Sequence, residues 1–351
     1  MKIIHTSDLH LDSPLTARLT SSKVRERKNE LLLSFRKIVQ NAKDSGALGF
    51  VIAGDLFDSE KVGKRTLKNV IDIIASCPEI TFFYLSGNHE RGALLDSCIP
   101  LPENLKLFEN EWTYFKLGEV NIIGRCETSS DMFSTVSLNE NEVNVIVLHG
   151  ELRDRSDRGG VIGKKDAEEL PIDYLALGHY HSYSKTEISR RLTAVYSGTP
   201  EGRGFDEIGP CGYVTLTVNG RSVSHTFTES AKRRLEIIEV DVTDSLSDVA
   251  VMSKIEKALR QTSRESLVRV RLVGSRELGR TFDTEALLSS LKDLYYYVEI
   301  KDESKLRICK DDFKNDISLK GEFIRSVLAD SSLEDSEKEA VINMGLSVLM
   351  E

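Results

Sequence analysis

Lys2-Ile3-Ile4-His5-Thr6-Ser7-Asp8-Leu9-His10 decides the fold: an apolar run opens the chain and an Asp-x-His pair closes it. The same construction returns four times. Phe50 to Ala53 runs into Gly54-Asp55, and Phe82 to Leu85 into Gly87-Asn88-His89. Val143 to Leu148 runs into His149-Gly150, and Tyr174 to Leu177 into Gly178-His179-Tyr180-His181. Apolar runs of this length, ended by Gly or a polar cluster, read as buried strands. Polar residues at the ends of several such strands converge on one edge of a sheet, where open α/β sheets place their sites. Five of the seven histidines in the 351 residues fall in these islands, which argues against coincidence.

The residue types suit one chemistry. Asp, His and Asn are hard-to-borderline donors that fit Mn²⁺, Fe²⁺ or Zn²⁺, without the thiolates of structural zinc sites. In Asp8-x-His10 and His179-x-His181 one residue separates two donors, and on an extended segment both would point to the same side. Gly54, Gly87 and Gly178 directly precede donors, where a turn needs unusual backbone angles or close approach. Two divalent ions about 3.5–4 Å apart can clamp the attacking and leaving oxygens at phosphorus and acidify a water into a hydroxide nucleophile. His5 lies inside the first strand and His225 on a late one. Both are expected to be core or surface residues.

Taken in order, D-x-H, Gly54-Asp55-x-x-Asp58, Gly87-Asn88-His89-Glu90, His149-Gly150 and Gly178-His179-x-His181 resemble the calcineurin-like metallophosphoesterases. The resemblance covers roughly residues 1–230. The stretch from Ser7 to Pro14, Gly54 to Asp58 and Tyr196-Ser197-Gly198-Thr199-Pro200 look like the DNA repair exonuclease branch, the SbcD and YhaO type. It implies an α/β fold, a two-sheet sandwich flanked by helices, with a small α/β capping domain and a helical C-terminal tail. It makes Asp8, His10, Asp55 and His181 ligands of one metal. Asp55, Asn88, His149 and His179 would hold the other, with Asp55 bridging. His89 would stand beside the scissile phosphate as the catalytic residue, and Asp58 would orient a ligand.

Composition sets the bounds. With 40% hydrophobic and 29% charged residues the chain reads as an ordinary soluble globular protein of one large domain and a smaller one. No apolar run reaches the ~20 residues of a membrane span, and no secretory leader opens the sequence, so a cytoplasmic protein is expected. Cys77, Cys98, Cys126, Cys211 and Cys309 are scattered without C-x-x-C and read as reduced thiols. The net charge of −9 counts against a nucleic-acid enzyme, which usually carries a basic footprint. Residues 302–351 alone carry −5, however, leaving −4 for the rest, which two divalent ions would offset.

Helical spacing marks 24–45 and 66–76, and strand, helix, strand, helix, strand through residue 86 implies crossover connections. Short β-type segments follow at 113–117, 120–123, 143–148, 173–177, 185–188, 193–196 and 212–218. Residues 197–212, with five glycines and two prolines, form a long loop that either shapes a substrate groove or crosses the surface. Residues 153–165 hold five basic and two acidic side chains, giving either a phosphate-contacting rim or a solvated loop. A boundary at 228–234 separates a nuclease domain (1–230) from a small α/β unit (234–301), followed by a helical segment (302–351). Helices at 318–329 and 334–350 carry apolar stripes that either pack on their own domain or, as the resemblance implies, dock onto an SMC-like ATPase.

The reading is a two-metal DNA nuclease, with Mn²⁺ preferred over Fe²⁺, Zn²⁺ or Mg²⁺, with DNA as partner and no membrane; the resemblance alone adds an SMC-like ATPase and a second copy of the chain as further partners. Its rivals are a phosphodiesterase or phosphatase for nucleotides or small phosphate esters, and a mainly structural subunit of a repair complex.

Overall fold

The computed structural model describes residues 1–15, 19–90, 92, 94, 99–277, 280–307 and 313–349, so Cys98 and Cys309 lie outside the described residues. The chain divides into two compact units, 1–235 and 236–351. The first runs β1 (Lys2–Thr6), α1 (Ser21–Asp44), β2 (Gly49–Ala53), α2 (Lys64–Ala75), β3 (Thr81–Leu85), β4 (Leu105–Leu107), β5 (Thr113–Leu117) and β6 (Val120–Gly124). It continues with β7 (Val143–His149), β8 (Glu151–Arg153), β9 (Val161–Gly163), α3 (Lys164–Ala167), β10 (Tyr174–Gly178), β11 (Ser184–Glu187), β12 (Thr193–Tyr196), β13 (Gly212–Asn219) and β14 (Ser222–Glu229).

Two six-stranded sheets result, ordered β14-β13-β1-β2-β3-β4 and β11-β12-β10-β7-β6-β5. β1 to β4 pair in parallel in one, and β12, β10, β7 and β6 in the other, with antiparallel strands at the edges. Because side chains alternate along a strand, each sheet buries two different faces. Ile3, Val51, Ala53, Phe83 and Leu85 meet Val145, Val147, Tyr174, Ala176 and Val195 between the sheets. Ile4, Phe50, Ile52 and Phe82 face Leu31, Phe35, Ile38, Val70 and Ile74 of α1 and α2. Ile146, Leu148, Leu175 and Leu177 pack on Ile162, Ala167 and Ile172. Burial on both faces is why these strands read as unbroken apolar runs. The α/β sandwich flanked by helices expected from the resemblance is the architecture found.

The 197–212 loop is not a surface crossing. Ser197, Thr199, Glu201 and Glu207 are all buried. Its Glu201 receives Arg27 Nη1 of α1 at 2.8 Å and the backbone N–H groups of Lys232 (2.6 Å) and Arg233 (3.2 Å). Arg233, inside the expected boundary at 228–234, is itself buried against Glu30.

The second unit takes in most of β15 (Leu235–Asp241), then α4 (Asp248–Ala258), β16 (Leu267–Val273), β17 (Ser275–Arg276), α5 (Thr284–Leu291), β18 (Tyr297–Asp302), β19 (Lys305–Leu306), α6 (Leu319–Ala329) and α7 (Asp335–Leu349). β15, β16 and β18 form its sheet. Val268, Val270 and Leu272 pack with Val251 and Ile255 of α4 and Leu287 and Leu291 of α5. The alternate residues Arg269 and Arg271 pair outward with Glu299 and Glu303. Ser247, Asp283 and Ser318 each cap a following helix by accepting from a backbone N–H. Ile324 and Val327 of α6 pack against Ile342 and Leu346 of α7 in a separate small core. Among the described residues, no helix is long and apolar enough to cross a membrane.

Candidate metal centre

Every ligand-type residue singled out in the sequence stands at or just past the C-terminal end of a parallel strand. Asp8 and His10 follow β1, Asp55 follows β2, and Asn88 and His89 follow β3. His149 ends β7, and His179 and His181 follow β10. The loops after β1 and β2 remain zipped beyond the strands: Asp8 N–H donates to Gly54 O at 3.0 Å and His10 N–H to Asp55 O at 2.9 Å.

The Asp8-x-His10 pair is not extended, contrary to the reading from spacing. Asp8 (φ 53°), His10 (φ 45°) and Asp55 (φ 52°) are left-handed, and His179 has φ 114°. Such angles cost on the order of 1–3 kcal/mol for a residue with a side chain and persist where the surroundings impose them. Here they turn Asp8, His10 and Asp55 inward together. Close approach explains the glycines. A Cβ on Gly54, itself at φ +90°, would lie 2.2 Å from His149 Nδ1, and one on Gly87 would lie 2.0 Å from Asp55 Oδ1.

Asp8, His10 and His181 bring donor atoms within 4.8 Å of one another, as do Asp8, Asp55 and His149. Asp55 Oδ2 stands between the groups, 3.6 Å from His10 Nε2 and 3.3 Å from His149 Nε2. Asn88 Oδ1 is 2.9 Å from His149 Nε2, and the His179 ring lies 5.5 Å from the His149 ring. The two halves of His179-x-His181 therefore serve different neighbours instead of one. A third group, His10, Asp58 and His89, lies toward the rim, where His89 is exposed. His5 stays in the core, its Nδ1 2.9 Å from Tyr174 Oη, and burial lowers its pKa to about 3.

The far nitrogen of each imidazole sets which nitrogen points inward. His149 Nδ1 donates to Ala53 O at 3.0 Å, so Nε2 is the nitrogen turned toward Asn88 Oδ1 and Asp55. His181 Nδ1 lies 2.7 Å from Glu207 Oε1. His10 Nδ1 lies 3.1 Å from Asp58 Oδ1, at an angle that makes no hydrogen bond. His10 Nε2 and His181 Nε2 then face each other at 3.3 Å.

Charge is divided unevenly. Burial raises Asp8 to about 6. Burial would raise Asp55 too, but the His149 hydrogen bond and the nearby imidazoles hold it at about 2. Buried carboxylates and inward imidazole nitrogens around a common centre are a donor set for divalent cations, so the residues present fit a dimetal centre.

Three residues that spacing did not single out as site residues hold this arrangement. Glu90 is buried, and its carboxylate accepts the N–H groups of Leu56 (2.9 Å) and Phe57 (2.5 Å), clamping the Asp55 loop. Burial raises its pKa to about 8. Glu207 and Arg203 arrive on the 197–212 loop. Arg203 Nη1 reaches Asp58 Oδ1 at 3.0 Å while its Nε reaches Glu207 Oε1 at 2.9 Å. A charged pair four residues apart inside a glycine-rich stretch was the one available signal. A cavity of about 960 Å³ opens beside Asn88, His149 and His179, lined also by Tyr84, Phe108 and Cys126.

A sandwich of two mixed sheets with convergent Asp, His and Asn donors at its strand ends defines a metal-dependent phosphoesterase. The sequence pattern of the calcineurin-like phosphoesterase family matches residues 1–183, and the chain belongs to that family. It is similar to the metallophosphoesterase YhaO of Bacillus subtilis, 26% identical over 298 residues, covering 78% of this chain and 71% of that protein. It is also similar to the DNA double-strand break repair protein Mre11 of Methanosarcina acetivorans, 28% identical over 242 residues. That match covers 64% of this chain and 38% of the archaeal protein, so the chain spans well under half of that relative's length.

Proposed function

We propose that this phosphoesterase hydrolyses phosphodiester bonds in DNA. The observation that carries the reading is the Asp55 carboxylate standing between the His10 side and the His149 side. In this assignment Asp8, His10, Asp55 and His181 hold one divalent ion, and Asp55, Asn88, His149 and His179 the other. Bound there, two ions such as Mn²⁺ supply an acidified water and neutralise charge on the phosphoryl oxygens. Exposed His89, its ring 5.0 Å from the His10 ring, donates a proton to the departing oxygen or stabilises charge on phosphorus. The similarity to a protein named for double-strand break repair supports DNA as substrate.

Other parts take roles in the same reading. The 153–165 segment adjoins the cavity through Gly159 and Gly160. Arg153 and Lys164 pair with Glu151 and Asp154, leaving exposed Arg155, Arg158 and Lys165 as phosphate contacts. Residues 234–301 act as a capping domain that helps select DNA. Residues 302–351 dock onto an SMC-like ATPase, consistent with exposed Val341, Met344 and Val348 on α7. A cytoplasmic homodimer completes the proposal, in keeping with free thiols at Cys77, Cys126 and Cys211. The cavity beside His149 favours one rival, a phosphodiesterase for nucleotides or small esters, since it could enclose such a substrate.

Hydrolysis of end-labelled single- and double-stranded DNA with Mn²⁺, beside His89→Asn and bis-p-nitrophenyl phosphate, tests the reading. DNA cleavage that disappears in the variant supports a nuclease. Turnover of the small diester with DNA left intact favours the rival.

A further inference from the structure

We propose that Arg203 is a positioning residue for one metal of the pair, aiming His10 and His181 together through two carboxylates. The inference rests on the ligand assignment above. Both imidazoles turn Nε2 inward, and a charged contact at the far nitrogen helps to set the aim of such a ring. The far nitrogen of His181 lies 2.7 Å from Glu207 and 3.3 Å from Arg203 Nη2 itself, and that of His10 lies 3.1 Å from Asp58 without making a hydrogen bond. One guanidinium joins the two carboxylates. Its Nη1 reaches Asp58 Oδ1 at 3.0 Å and Ser13 Oγ at 3.3 Å, while Nε and Nη2 both address Glu207 Oε1. The Arg203 backbone N–H adds a 2.6 Å bond to Glu207 Oε2. Only a planar fork of several donors spans two acceptors this way, which a lysine ammonium does not reproduce.

The device is one-sided and fixed from behind. His149 takes its orientation from the Ala53 carbonyl, with no contribution from Arg203. Arg27 Nη2 donates to Gly202 O at 2.6 Å and Arg27 Nη1 to Glu201 at 2.8 Å, so the residues just before Arg203 are gripped by a buried side chain of α1. Losing the fork should therefore loosen one metal and spare the other.

The test is calorimetric titration of the metal-free full chain with Mn²⁺. Wild type should bind two ions. Arg203→Lys should bind one with unchanged affinity and the other about 10–100-fold more weakly, the range typical of outer supports. Glu207→Gln should give the same pattern, which keeps the test decisive if Arg203→Lys does not fold. Excess Mn²⁺ should restore kcat in either variant, with a raised half-activating concentration. Two wild-type affinities in both variants, or equal weakening of both ions, would overturn the proposal. His181→Ala separates the underlying reading: if it still binds both ions normally, the ligand assignment fails and Arg203's role with it. If His181→Ala loses an ion while Arg203→Lys and Glu207→Gln are indifferent, only the role of Arg203 fails.

Discussion

His10 Nε2 and His181 Nε2 face each other 3.3 Å apart, with a carboxylate behind each ring. Burial, helped by the Arg203 charge, lowers His10 to about 3 and keeps it neutral. Two inward nitrogens at this distance would gain from a shared cation, as the proposed ligand assignment gives them. His181→Ala should therefore lower bound metal from two ions toward one per chain after dialysis, read by elemental analysis. Since a catalytic metal contributes several kcal/mol, diester hydrolysis should fall by about 100-fold or more. Retention of both ions would refute the assignment of His181.

His89 differs in being exposed and at the rim. His89→Asn should keep both ions and lose activity by about 10²–10⁴-fold, the range of general acid–base catalysis. Unchanged turnover of bis-p-nitrophenyl phosphate would remove His89 from the reaction.

Gly87 shows how tightly the Asp55 loop is packed. A Cβ there would meet Asp55 Oδ1 at 2.0 Å and Asp55 N at 2.5 Å, so Gly87→Ala must displace the central carboxylate. We expect a loss of about 1–3 kcal/mol in stability together with a marked loss of metal affinity. Gly220→Ala is the control: its Cβ meets nothing within 4 Å, and only its φ of +58° is strained. It should cost about 1 kcal/mol and leave hydrolysis intact. Wild-type metal binding by Gly87→Ala would contradict the close approach.

The buried ion network beneath the 197–212 loop predicts an acid transition. Glu30 would be raised by burial, but hydrogen bonds from Arg233, Lys232 and Arg27 hold it at about 2, against an ordinary 4.5. A carboxylate depressed in the folded state stabilises fully above its unfolded value and loses that contribution as pH falls through its folded one. The Glu30 contribution should thus be complete above pH 4.5 and disappear toward pH 2. Removing one partner of a buried pair typically costs about 3–5 kcal/mol, so Glu30→Gln should be destabilised at pH 7 and converge on wild type in acid. Urea midpoints measured across pH 2–7 check this, and parallel curves would rule out the linkage.

Much of this protein was legible locally. The central strands read as apolar runs because both of their faces are covered, and α1 and α2 read from helical spacing because each buries one stripe. The elements that were predicted differ from those observed mainly at their ends, as with 24–45 against Ser21–Asp44, while the three-residue strands β4, β8 and β9 were not predicted. The donor islands were legible because rare histidines recur directly after strands, a pattern short-range enough to survive in one dimension.

What the sequence by itself determined was therefore the order of strands and helices, the family, and which residues reach one edge of the sheets. Only the tertiary structure decided how those residues are aimed. Backbone angle at Asp8 and His10 comes from pairing with the β2 loop, not from their spacing, so the extended reading failed. Arg203 meets Asp58 across 145 residues, and Glu201 meets Arg27 across 174. Contacts that distant leave no periodicity in the chain. A glycine-rich segment reads as a loop whether it lies in water or, as here, is buried behind the metal donors.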